Sequence, residues 1–220
     1  MRLFSAPAVF GLILTSLVCL QGQGTPGKDA QSETKGIPPR ASAADYQFHE
    51  QAGNITIAAE FTGHSLPTLE GPLTNEDYVA VEVALFGPSG TPLKIAADNF
   101  SLRVNGKKSA LPSQPFGLIV SSLKDPEWVP PEAPEKKSKS SIGTGGQSDS
   151  GAPPAPVKIP VAVQRAMAQR VQKAALPEGD RALPVAGLLF FQYRGKEKSV
   201  QSLELLYDGP AGKATLKLQP

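Results

Sequence analysis

The clearest pattern along the chain is an alternation of apolar and polar or small positions. Ile55, Ile57, Ala59 and Phe61 alternate with Thr56, Ala58 and Glu60, the period-two mark of a strand with one buried face. Val79, Val81, Val83 and Leu85 alternate in the same way with Ala80, Glu82 and Ala84. Phe100, Leu102 and Val104 repeat the pattern around Ser101 and Arg103. Asn105-Gly106 follows at once, and both residue types tolerate positive φ, so a hairpin is expected there with a short return strand over 107–111. Phe116 to Ser121 reads as a further strand.

Past a proline-rich stretch, Val163, Met167, Val171 and Ala174 step by four, four and three, the spacing of one helix face. Pro160 and Pro177 bound this helix, which is expected over 161–176. Its narrow, alanine-rich face suits the domain surface or one end of it. A membrane-surface helix is the rival reading, weakened by the lack of aromatics and Leu on that face. Strands then return. Val185 to Tyr193 is almost continuously apolar and suits a central strand covered on both faces. Ser199 to Tyr207 places Val200, Leu203 and Leu205 amid polar residues, Asp208 to Gly212 is a turn, and Ala214, Leu216 and Leu218 alternate with Lys213, Thr215 and Lys217. Short strands at this spacing predict a mainly β protein, an antiparallel β-sandwich of 7–9 strands with one inserted short helix, spanning 45–220.

Three segments contribute nothing to that core. Residues 1–24 read as a signal peptide: Arg2, then an apolar stretch from Val9 to Leu20, then Gly22 and Gly24 at the −3 and −1 positions of a cleavage site. The apolar stretch is shorter than the roughly 20 residues of a membrane span. A lipid anchor at Cys19 is a poor fit, because Ser16 and Val18 stand where a lipidation signal has Leu and a small residue; a retained anchor is the other alternative. Residues 25–44 hold one large apolar residue, Ile37, and are expected to be a disordered leader. Residues 126–160 include eight Pro, five Ser and four Gly, and are expected to leave the domain as a disordered insertion. Val129-Pro130-Pro131 and Pro153-Pro154-Ala155-Pro156 within it resemble polyproline ligands.

Charge and cysteine usage narrow the function. Lys plus Arg is 22 against 20 for Asp plus Glu, a net charge of +2, which argues against nucleic acid held by bulk electrostatics. Cleavage after Gly24 removes Cys19, leaving no thiol for catalysis or a disulfide. His49, on an expected edge strand, and His64, in an expected loop, have no partner at metal-ligand spacing and read as surface residues. Glu76 and Asp77 are adjacent, so on an extended segment their carboxylates point apart. No Gly-x-Ser-x-Gly elbow is present, and Gly143 to Gly146 follows no strand and opens no helix. No cofactor and no metal are expected.

The runs DYVAVEVALF, DNFSLRV, GLLFF, SLELLY and GKATLKL together resemble the immunoglobulin-like domains of unknown function found in bacterial secreted proteins and lipoproteins. The resemblance covers about residues 53–220, with 126–182 as an insertion. It implies an immunoglobulin-like β-sandwich and a secreted or periplasmic location, and brings no catalytic residues. The expected function is a non-enzymatic binding or interaction module of the cell envelope with a protein partner, no nucleic acid and no stable membrane span after signal cleavage. A carbohydrate-binding accessory domain is the alternative, weakened by one Trp and 6% aromatics. An enzyme using scattered carboxylates is the third reading. The stretch from Thr62 to Asp77, long for a hairpin connection, and Trp128 at the root of the insertion supply the candidate partner contacts: Trp128, His64, Leu66 and Leu69.

Overall fold

A computed structural model describes residues 35–129 and 159–220. The expected signal peptide, the first part of the expected leader and residues 130–158 of the insertion lie outside the described residues. In chain order the strands are β1 (Phe48–Ala52), β2 (Ile55–Gly63), β3 (Ser65–Leu66), β4 (Leu73–Asn75), β5 (Tyr78–Phe86), β6 (Pro92–Ile95) and β7 (Phe100–Val104). Then come β8 (Leu111–Gln114), helix α1 (Phe116–Ile119), β9 (Leu123–Lys124), helix α2 (Val161–Ala174), β10 (Gly179–Ala182), β11 (Val185–Gln192), β12 (Leu203–Gly209) and β13 (Gly212–Leu218).

The fold is mainly β, and every paired strand is antiparallel to its neighbour. Eight strands form one sheet in the order β1-β2-β5-β11-β8-β7-β12-β13. β8 is the corner: it pairs with β11 on one side and β7 on the other. The sheet curls until its two ends meet, so it is nearly a barrel. At the seam the Gly53 backbone packs on the Ala211 carbonyl, an approach that a Cβ would block. One continuous curled sheet therefore stands where the sequence suggested two stacked ones. Inside it lies one core, with Ile57, Val81, Val83, Leu189 and Phe191 from one half facing Leu102, Leu205 and Leu216 from the other.

The outer face of the sheet is also covered over β2, β5 and β11, which the alternating pattern did not reveal. Met167, Val171 and Ala174 of α2 pack with Ala80, Leu188 and Phe190, so the helix forms a second layer rather than a surface appendage. The expected leader is ordered over its described part. Ile37 forms a β-bridge to Ala186, with its amide 3.0 Å from the Ala186 carbonyl, and Tyr46 is buried against Ala58, Ala84 and Ala186. The physical reason is the row of alanines on the outward side of β2, β5 and β11. Their small side chains leave room for backbone to lie close. At Gly187 even a Cβ would overlap the Leu176 backbone, where Ala175 bridges in parallel to Leu188.

Three local expectations shift. Phe116 to Ser121 is helical, α1 followed by a 3-10 turn at Val120–Ser122, and not a strand. Phe116, Ile119 and Val120 join one apolar cluster, an i, i+3, i+4 set on one helix face. Asn105 and Gly106 do take positive φ, 52° and 62°, but the return strand β8 starts only at Leu111. The strand expected from Ser199 begins at Leu203, after a 3-10 turn at Glu197–Ser199. Among the described residues no helix is long and apolar enough to cross a membrane.

Candidate functional site

Trp128 lies at a corner built from β9 and α2. The segment after β9 turns there, with the Trp128 amide donating to the Asp125 carbonyl at 3.2 Å. Asp125 is held by Arg170 of α2, whose Nη1 is 2.7 Å from Oδ2; both side chains are largely buried. Arg170 also donates to the Gly71 carbonyl at 2.9 Å and the Glu70 carbonyl at 3.2 Å. One guanidinium thus ties the turn that carries Leu69 and the turn that carries Trp128 to the same helix. This suits arginine, whose planar fork serves several acceptors at once. Trp128 is half-buried and lines an apolar cleft of about 240 Å³ with Lys124, Asp125, Ile159, Val163 and Met167. Val129, Val161 and Leu69 stand exposed at 80%, 69% and 68%.

The structure ties the turns that carry Trp128 and Leu69 to Arg170, through Asp125 on one side and the Glu70 and Gly71 carbonyls on the other, and places His64 and Leu66 in other contacts. The stretch from Thr62 to Asp77 is folded, because β3 pairs with β4 and β4 with β9. Leu66 pairs with Leu73 and is 1% exposed, so it serves the core and offers nothing to a partner. His64 is not a free surface residue. Its Nδ1 lies 2.7 Å from the Asn75 carbonyl and 3.0 Å from that of Tyr78, and its Nε2 lies 3.0 Å from the Gly195 carbonyl. The ring stacks on Tyr193, and the His64 amide donates to Glu197 at 2.6 Å. Its role is to pin three chain segments together. His49 is exposed on β1, an end strand of the sheet, as expected.

A second cleft, of about 490 Å³, opens where β8 and β11 part company. The two strands pair only at Phe190–Gln114 and Phe191–Ser113, so the wall is split beside Leu188 and Leu189. Leu176, Leu188, Leu189 and Phe190 floor it, and Asp98, Glu178 and Arg181 edge it. Glu178 Oε1 accepts from the Ala97 amide at 2.7 Å and Ser113 Oγ donates to the Ala97 carbonyl at 2.6 Å, so part of this polar rim holds loops in place.

One charge cluster was missed from sequence. Glu60 of β2 and Glu82 of β5 stand directly opposite each other in register. Arg40 lies over them, 2.6 Å from Glu60 and 3.4 Å from Glu82, and its guanidinium sits 4.4 Å from the Tyr46 ring centre. Burial pushes the Glu82 carboxyl above the usual carboxylate range, and Arg40 offsets only part of that. The signal available in sequence was a Glu inside each of two strongly apolar strands.

Among the described residues no group of three or more His, Cys, Asp or Glu is placed to hold a metal ion. Every described aromatic residue is buried or half-buried. No family model, no curated protein and no solved structure matches this chain.

Proposed function

We propose that the chain is a secreted, non-enzymatic binding module of the bacterial cell envelope, with the Trp128 corner as its partner-facing surface. The carrying observation is the juxtaposition of the apolar cleft lined by Trp128, Val163 and Met167 with the exposed Val129 and Val161. Large apolar side chains left in water beside a rigid, Arg170-braced aromatic have the make-up of an interface centre. The reading of the fold as immunoglobulin-like draws support from the two halves of the sheet facing each other across one core, with continuity through β8 as the departure. The partner class this surface suits is a protein segment with apolar side chains, since four of the six residues lining the cleft, Trp128, Ile159, Val163 and Met167, are apolar.

The test is capture from an envelope fraction with chain 25–220, beside the variants Val161→Glu and Trp128→Ala. A protein retained by the parent and lost from both variants supports the reading. Retention by all three moves the contact surface elsewhere, and no retained protein sinks the interaction reading. Circular dichroism of each variant separates lost binding from lost folding.

A further inference from the structure

We propose that residues 35–46 form a releasable strap, closed while the Glu60–Glu82 pair carries one negative charge opposite Arg40 and loosened when both carboxyls are ionised. The strap touches the sheet at a few points. Ile37 makes one bridge to Ala186, Arg40 reaches Glu60 and Glu82, and Tyr46 covers Ala58 and Ala84. It forms no extended ladder, so its hold depends strongly on the charge cluster beneath it.

That cluster has an uneven balance. Two carboxylates face each other across paired strands, an arrangement that is unfavourable when both are charged. A single guanidinium serves both, and it sits closer to Glu60. Glu82 is only 8% exposed beneath Arg40 and Tyr46. An ionised Glu82 therefore bears the loss of its water while the strap is down and regains that water when the strap lifts. The groups facing it are Arg40 and Tyr46 from the strap and Glu60 from β2; β11 presents Leu188 opposite it, and β1 adds the exposed His49 one pair further along. Burial is the largest influence on the Glu82 carboxyl and raises it, followed by Arg40, which lowers it, and Glu60, which raises it. Strap closure is thus coupled to holding a proton, and closure weakens as pH rises through the range above an ordinary glutamate. Opening uncovers the Ala186 carbonyl on the free edge of β11, a place where another extended segment can pair.

Hydrogen–deuterium exchange of the full chain across pH, corrected for the intrinsic rate, reads this directly. The Ile37 amide reports the strap, and peptides from β13 report the core. The expected result is strap protection that falls with rising pH by as much as about tenfold per unit, the limit for one linked proton, while core peptides stay far more protected than the strap at every pH. Glu82→Gln is expected to abolish the slope and Glu60→Gln to make it shallower. Arg40→Ala is expected to leave the strap unprotected at every pH with the core intact. Strap protection independent of pH, or an unchanged slope in both glutamine variants, overturns the proposal; if Glu82→Gln does not fold, Glu60→Gln alone decides.

Discussion

His64 and Asn75 hold each other from both sides. The Asn75 amide donates to the His64 carbonyl at 3.0 Å, and His64 Nδ1 lies 2.7 Å from the Asn75 carbonyl. Asn75 is fully buried, yet its side chain is satisfied. Nδ2 donates to the Ile119 carbonyl at 3.0 Å, and Oδ1 accepts from Asp77 N, Tyr78 N and Ser122 Oγ at 3.0–3.1 Å. Together the pair binds β4, α1 and the chain after β11 into one unit.

Removing the Asn75 amide is expected to be costly. Asn75→Ala takes a partner from the buried Ile119 carbonyl and from the part-buried Asp77 and Tyr78 amides, and a buried group left unsatisfied costs roughly 1–3 kcal/mol. A loss of about 3 kcal/mol in urea unfolding is expected, with His64→Ala losing about 1–2 kcal/mol. A double variant that loses much less than the sum of the two would show the coupling of adjacent sites. If Asn75→Ala shifts the midpoint by less than the equivalent of about 0.5 kcal/mol, this hub role is wrong.

Gly187 tests the close approach of the Ala175–Leu176 backbone to β11. A methyl group there meets the Leu176 Cα and, at 2.6 Å, its amide nitrogen. Backbone held by a β-bridge cannot yield easily, so Gly187→Ala is expected to destabilise by roughly 2–3 kcal/mol. Gly117→Ala, inside α1 with open space around it, is the control and is expected to be neutral or slightly stabilising. Equal behaviour of the two in thermal unfolding would refute the packing argument.

Arg170 braces the Trp128 corner. Arg170→Met keeps much of the stem's packing and leaves Asp125 largely buried without its cation. A loss of about 2 kcal/mol is expected, since stranding one partner of a buried pair is worse than removing both. Adding Asp125→Asn should recover part of it. The near-surface turn at Thr68 to Gly71 should exchange faster in the single variant, read by hydrogen exchange.

Glu82 makes global stability depend on pH. Its folded carboxyl titrates above the usual glutamate range because it is buried, so in that window the folded chain keeps a proton that the unfolded chain has released. This contribution is fully present below the unfolded value and is lost as pH rises through the folded one. Urea unfolding across this window should show parent stability falling relative to Glu82→Gln. Parallel curves for the two would remove Glu82 as the cause.

Much of the strand inventory was legible in sequence, because alternation is a local consequence of the pleat. β13 shows it cleanly: Ala214, Leu216 and Leu218 are buried, while Lys213, Thr215 and Lys217 are exposed. The Asn105–Gly106 turn and α2 were equally local, fixed by φ tolerance and by a 3.6-residue spacing between prolines. What lies on top of a sheet is not local. Ala80, Glu82 and Ala84 read as a solvent-facing row, and only α2 and the strap decide that they are covered. The same holds for the site. The sequence marked Trp128 and Leu69 as unusual apolar residues beside turns, and the structure ties those two turns to Arg170, a residue with nothing to distinguish it on a polar helix face. His64 and Leu66 looked like loop residues because the pairing of β3, β4 and β9 links positions about fifty residues apart. The amino-acid sequence by itself determined strands, turns and the one long helix, since these rest on contacts between near neighbours. Only the tertiary structure decided the curl of the sheet, the covered outer face and the Arg40–Glu60–Glu82 cluster, since these rest on burial between segments far apart in the chain.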